Sequence, residues 1–527
     1  MNPLYITLLL LLFSMPAAVA QKLSIKATWG KEFKAAKSST MIDVVGYDNT
    51  GFYALTRKFS AFNSYTLEHF DQEMNLTKSV KLELLRQGVS YEAYEKIIQV
   101  NNELFLFTSL IDNRSKSSTL YVKQIDKSAL VPEKTGEKLM SMEYRGPRRA
   151  GEGDFIVKLS RDSTNVLVVN MLPYKAGDPE KFGFHVYDAS MKLQWQQDVI
   201  LPHKDDMFEI KSFKVSNTGN VYLLGKLYNK GHREKRNGEA NYSYRIFSYS
   251  PDNREGKEYS IALEDRFLRD MQLAVEDDGD LICAGFYSER GTMSIRGTYF
   301  LTVDAASSEI KTKSFKEFSI DFITQYMKDG KAEQMKRKEE RGGDVELYDY
   351  DLSDIILRTD GGAVLVAEQF YAKTYTYTTP IGGQSQLQQQ ASTYYYYNDI
   401  IAVNIGADGV IEWAAKIPKH QVSSDVGFYS SYALAVVRDK MYFVFNDDPE
   451  NAGYDGSEKL KSFSGRDPVV MVVQLDSKGE VTRQPIFTSF GMDAITRPKV
   501  CEQVSHTEMV LFGQRKKTQQ FAKVTFE

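Results

Sequence analysis

The residue pattern predicts an all-β chain of eight small antiparallel sheets, four strands in each, laid one after another along the sequence. Three observations predict it. A turn bearing small or polar residues and leading into an apolar run recurs eight times. A second apolar run follows most of these, and the last unit is one strand short while a spare strand stands near the N terminus. The unit is plainest from Arg266 to Phe318, where the turn Glu276–Asp280 is flanked by apolar runs and followed by Thr298–Asp304 and Glu309–Phe315.

In chain order, Leu4 to Phe13 is an apolar run followed by Pro16 and Ala18-Val19-Ala20, the pattern of a signal peptide over 1–20 with cleavage before Gln21. The run is shorter than the ~20 residues of a membrane span, and no second long run follows. The mature chain is therefore expected to carry no transmembrane segment and to be exported, to the periplasm or beyond. Residues 21–527 read as a single domain.

The first strand-to-strand turns are Asp48–Gly51, Asn101-Asn102, Asp162–Asn165, Asn217–Asn220, Asp278-Gly279, Asp360–Gly362, Arg438–Lys440 and Ser505–Thr507. Most hold Asn, Asp or Gly because the centre of a tight hairpin often needs positive φ. Third strands align as Tyr65–Phe70, Leu120–Ile125, Tyr299–Val303, Ile400–Ile405 and Val469–Val473, each followed by a more polar fourth strand. Leu23–Trp29 resembles the fourth strands around Trp195 and Trp413. That pattern predicts circular closure, with this strand completing the last sheet.

At this point the chain resembles the β-propeller class over about residues 22–527. The resemblance implies an eight-bladed ring with a central channel. The segments Tyr395–Ile401, Gly409–Lys419 and Phe443–Asp447 resemble a family of exported bacterial proteins whose activity is uncharacterised.

Departures from the repeat carry the functional reading. In a four-stranded unit the first-to-second and third-to-fourth turns share one face, and the remaining connections share the other. The long insertions fall on the second face, at Pro173–Phe182, Tyr228–Tyr242, Tyr287–Gly297, Phe370–Tyr397 and Asn446–Asp467, and between units at Met142–Asp154 and Ser319–Tyr348. Elaboration of one face of a rigid scaffold is how binding surfaces are made. Residues 319–345 form a helical insertion: Ser319 caps a single helix that runs to Arg341 and stops at Gly342-Gly343. Residues 370–397 form a Tyr/Gln-rich hairpin, in which alternating Thr and Tyr continue two strands past their sheet.

Several chemistries are excluded. A net charge of −4 and pI near 6.0 give no field for nucleic acid. The six His never adopt metal-ligand spacing, so neither metal nor cofactor is expected. Cys283 and Cys501, each in an apolar run of a different unit, should be buried free thiols. Acidic groups occur at Glu276–Asp280, at Asp349, Asp351 and Asp354, and around Asp447-Asp448; none has the spacing of a calcium loop.

The reading is a monomeric, non-catalytic binding or scaffold protein that takes a protein or glycan of the cell envelope on its insertion-bearing face. Candidate binding residues are Tyr375, Tyr377, Tyr395, Asp447, Asp448 and Tyr454. The alternative is a carbohydrate-active hydrolase or lyase, with acidic residues such as Asp354, Asp447 and Asp448 at the mouth of the channel.

Overall fold

The computed structural model describes residues 23–527 apart from 61–62, 145–153, 173–176, 237, 262–265, 290–293, 344, 354, 359, 381–386, 425–426, 457–458, 466–467 and 488–494; the side chains of 377–388 also lie outside the description. The signal-peptide reading of 1–20 falls outside the described residues, as does Asp354.

The chain is all-β. Among the described residues eight antiparallel sheets of four to six strands follow one another, and two two-stranded ribbons, Lys235–Arg236 with Glu239–Ala240 and Ser294–Ile295 with Leu347–Tyr348, are formed by the loops. The eight sheets span 39–81, 86–143, 155–204, 208–261, 267–317, 350–423, 433–487 and 495–526, called sheets 1 to 8 below. Within the first seven, and in the C-terminal strands of the eighth, the strands run in sequence order, so the fold is a succession of meanders. The turn chemistry does what the sequence asks: Asn101 and Asn102 sit at φ 48° and 64°, and Gly219 and Gly279 at 80° and 94°.

Sheet 8 takes its outermost strand from the N terminus. Ile25–Trp29 pairs antiparallel with Thr518–Phe526, from Ile25 opposite Phe526 to Trp29 opposite Ala522. The contact continues at both ends, where Glu527 N–H donates to Ser24 O (3.1 Å) and Gly30 N–H to Phe521 O (2.9 Å).

Apolar side chains of each sheet's two faces meet those of its neighbours. Tyr53 and Leu67 of sheet 1 pack with Leu104 and Leu106 of sheet 2. Equivalent clusters join sheets 2 to 3, 3 to 4, 4 to 5, 5 to 6, 6 to 7 and 7 to 8. One more joins sheet 8 back to sheet 1, where Phe521 lies 4.8 Å from Phe52 and 4.6 Å from Phe70. First strands and their turns are also bridged by side chains: Gln99 holds Tyr47 N–H and O, Gln503 holds Val436 N–H and O, and Arg497 Nη1 donates to Thr40 Oγ1 at 2.7 Å.

Two expectations need correction. The single helix is two: α1 (Ile320–Thr324), capped by Ser319 Oγ, and α2 (Asp329–Glu340). The break lies at Gln325–Met327, where Tyr326 takes φ 65°, a left-handed conformation that stops a helix and turns its ring toward Tyr454, 6.0 Å away. A cap and a glycine stop cannot reveal this break, because the ring is drawn off by a loop far along the chain. Cys283 is a buried free thiol as expected, but Cys501 follows the short helical turn Pro498–Val500 and is only partly buried, its Sγ donating to Arg497 O.

Candidate binding face

The second and third strands of sheet 6 are far longer than their counterparts. Ala363–Pro380 and Leu387–Ile405 stay paired from Ala363 opposite Ile405 to Pro380 opposite Leu387. The strand on one side, Tyr350–Leu352, covers only Ala367–Gln369; the strand on the other, Gln421–Ser423, covers only Tyr395–Tyr397. Beyond those limits the two strands form a free ribbon. Thr, Tyr and Gln at successive positions are what keep it extended.

Side-chain alternation sorts the ribbon into two faces. Tyr371, Lys373, Tyr375, Tyr394 and Tyr396 share one. Tyr371 stacks on Tyr396 at 4.7 Å, Tyr375 meets Tyr394 edge-on at 5.8 Å, and Lys373 lies 5.1 Å over Tyr371. Tyr375 is 49% exposed and Tyr394 37%. Tyr377 pairs through its backbone with Gln390, at a position of the same parity as Tyr375. Tyr395 is on the opposite face, opposite Ala372 and stacked on Phe370 at 6.4 Å. The three tyrosines chosen from the sequence therefore do not act on one surface, whereas Tyr371, Tyr394 and Tyr396, not singled out, complete the aromatic face. The signal was present in the 371/396 and 375/392 register, which needs the hairpin's turn to be known.

Asp447, Asp448 and Tyr454 have structural partners. Asp447 is fully buried, accepting from Arg483 Nη2 at 2.6 Å and from Asn451 Nδ2 at 2.7 Å; burial still raises its pKa above the usual carboxylate range. Asp448 caps the helical turn Pro449–Asn451 through Glu450 N–H. Tyr454 lies between Tyr326 and the Arg483 guanidinium, 5.5 Å from the latter. These residues fasten the 446–467 loop to sheet 7 and to the helical insertion.

Beside them lies a charge network that the sequence analysis missed. Lys419, with its side chain fully buried, pairs with Glu368 at 2.7 Å and donates to Tyr397 O at 2.9 Å. Ser431 Oγ holds the other Glu368 oxygen at 2.7 Å. Lys416 Nζ donates to Phe322 O and Ile323 O of α1, and burial brings it down to about 8. Asp399 faces both lysines, its pKa raised by burial. The network binds the base of the ribbon to α1 and to the connection that leads into sheet 7. Its one trace in the sequence is a lysine at 416, inside the otherwise apolar end of Ile411–Ile417.

Further acids sit on first strands or in the breaks within them. Asp270 and Asp351, on the neighbouring sheets 5 and 6, are both raised by burial, and the charge of Asp351 adds to the rise at Asp270. Glu502 of sheet 8 is exposed to solvent on one side, so its shift is partly screened. Desolvation of its carboxyl by the packed neighbours and the charge of Asp43 of sheet 1 lift it to about 7. Its folded value lies above the ordinary glutamate value near 4.5, so the folded state holds the proton longer. Stability from this group is complete below about pH 4.5 and lost as pH rises through about 7. Glu502→Gln is expected to match the parent's melting temperature near pH 4.5 and exceed it by roughly 1–3 °C at pH 8. An equal offset at every pH would refute this. Glu276, Asp278 and Asp280 have carboxylate oxygens within 4.8 Å of one another, but Asp280 is paired with Lys311 and Asp278 accepts from Asp280 N–H, the bonds of a hairpin turn. Hollows on the short-turn face include one of about 650 Å³ beside Tyr47, Asn101 and Glu508 and one of about 710 Å³ beside Leu357, Trp413 and His506.

No protein-family model matches the chain, and no curated protein matches it. Solved structures similar to it include the polysaccharide lyase Uly1, at 10% identity over 94% of this chain and 99% of that one, with a TM-score of 0.34. An apocarotenoid oxygenase of Synechocystis, in mutant form, is 10% identical over 88% and 95%, with a TM-score of 0.37. An acylaminoacyl peptidase is 9% identical over 78% of this chain and 58% of its own, with a TM-score of 0.32. Likenesses this distant bear on no activity. The many antiparallel sheets themselves are consistent with a propeller-like architecture.

Proposed function

We propose that the chain is an exported, non-catalytic eight-bladed β-propeller, closed by its N-terminal strand, that binds a protein or glycan of the cell envelope through the aromatic face of its sheet 6 ribbon. Support for the ring comes from the apolar cluster joining sheet 8 to sheet 1, and from Arg161 of sheet 3, whose guanidinium reaches Leu357 O of sheet 6 at 3.5 Å, as across a narrow axis. The observation that carries the binding role is the exposed Tyr375–Tyr394 pair on a ribbon that neither neighbouring strand covers. Tyrosine offers apolar area and a hydroxyl at small entropic cost.

The test is capture of glycans and of envelope proteins by the parent and by Tyr375→Ala/Tyr394→Ala. Binding should weaken about tenfold or more, with the melting temperature unchanged within about 2 °C. Undiminished capture by the double variant would sink the reading. Export is tested by N-terminal sequencing, which should begin at Gln21.

A second reading, a carbohydrate-active hydrolase or lyase, draws support from Asp270 and Asp351, a neighbouring pair of acids with raised pKa at the first-strand positions of sheets 5 and 6. Asp447 and Asp448, committed to Arg483 and to a helical cap, lend it none. Turnover of a polysaccharide abolished by Asp270→Asn would favour it over the binding role.

A further inference from the structure

The ribbon has edges as well as faces, and the edge on the side of the first strand is bare past Gln369. Phe370 N–H points to the side of sheet 6 nearer the first strand, donating to Asp349 O at 2.7 Å. Strand alternation then turns the backbone groups of Ala372, Thr374, Thr376 and Thr378 to that same side, while Tyr371, Lys373, Tyr375 and Tyr377 bond across the hairpin to Tyr396, Tyr394, Ser392 and Gln390. Among the described residues no strand pairs with that edge past Gln369. Native edges are protected by charge, proline, bulges or a covering element. From 372 to 379 there is no proline, and the strand's register shift lies earlier, between Glu368 and Phe370. Lys373, the one charged residue from 370 to 397, lies across the Tyr371 and Tyr396 rings on the ribbon face and does not guard the edge.

We propose that this edge, residues 372–378, is an interface between two copies of the chain, paired antiparallel about a two-fold axis at Tyr375. The sequence of the edge fits itself. With Tyr375 opposite Tyr375, Thr374 stands opposite Thr376, Lys373 opposite Tyr377 and Ala372 opposite Thr378. The Thr374–Thr376 and Ala372–Thr378 pairs are the hydrogen-bonded ones. Tyr375–Tyr375 is a non-hydrogen-bonded pair, the kind in which side chains approach most closely. No like charges meet. An antiparallel two-fold is isologous and closes at two copies. It places the aromatic faces of both ribbons side by side on one four-stranded sheet, presenting a ligand with a doubled surface. The pairing uses the edge and leaves the face free, so it stands whether or not the face binds a ligand.

Sedimentation velocity over a concentration series tests it on the full mature chain. The parent should show a monomer–dimer equilibrium. Thr376→Pro removes an edge donor that makes no bond within the hairpin, and should weaken the dimer about tenfold or more. Thr374→Lys sets two lysines, one from each copy, diagonally across the edge on one face, and should do the same without proline's backbone restriction. Ala391→Pro, whose N–H faces the other edge, should leave the dimer intact. A parent that stays monomeric at all concentrations, a dimer that survives both edge variants, or equal loss in Ala391→Pro would overturn the proposal. So would a foreign extended peptide occupying the edge of a chain that does not self-associate.

Discussion

Removing residues 23–29 is expected to lower the unfolding free energy by about 4 kcal/mol, a large share of the ~5–15 kcal/mol of a typical domain. Five consecutive residues of this strand lie in register with Thr518–Phe526, and each ladder bond contributes about 1 kcal/mol. Leu23, 6% exposed, and Trp29, 4.7 Å from Phe487, add apolar burial of about 1.5–3 kcal/mol for each fully buried side chain. Ordering the strand offsets part of the gain. Removal also uncovers Val524 and Ala522 of the strand beneath. A point variant isolates the ladder. Ser24 O and Gly30 N–H both face the last strand, so alternation turns the N–H of Thr28 inward and that of Ala27 outward. Thr28→Pro should cost about 2–3 kcal/mol in urea unfolding, and Ala27→Pro distinctly less. Equal costs would mean that the strand adheres through side chains alone.

Lys419→Met should be the most damaging single substitution on the insertion face, at about 3–5 kcal/mol. The lysine side chain is fully buried, and among the described residues Glu368, 12% exposed, keeps only the Ser431 Oγ hydrogen bond once the ammonium is gone. An uncompensated carboxylate in such a place costs more than the pair contributed. The double variant Lys419→Met/Glu368→Gln should therefore recover most of the loss, since the amide keeps the Ser431 bond and carries no charge. Additive losses in the two single variants would show that the two charges do not interact. The ribbon should respond as well, because Tyr397 O, at its base, is held by the same ammonium at 2.9 Å.

Much of this could be read along the chain, and the exceptions share a cause. Turn residues and strand runs are local, so the units, their boundaries and the outward reach of 370–397 are legible from Asn101-Asn102 or Asp360–Gly362 onward. Ser319 is likewise legible as a cap, its partner being three residues away. The site residues were harder. Asp447 looks like a free acid in a polar loop until Arg483, on another strand, takes it. Tyr395 looks equivalent to Tyr375 until the register divides them between faces. Asp43 and Glu502 are 459 positions apart and meet only because sheet 8 returns to sheet 1.

By itself the sequence determined that the chain folds as a succession of small antiparallel sheets, because a hairpin needs only adjacent strands, alternating side chains and a turn that tolerates positive φ. It determined equally that the last sheet would lack a strand and that one was available near residue 25. Only the tertiary structure decided which polar groups are spent on holding the face together and which remain for a partner. That depends on burial and on pairs drawn from distant strands, where a carboxylate beside an ammonium becomes scaffold and a tyrosine with no neighbour above it becomes surface.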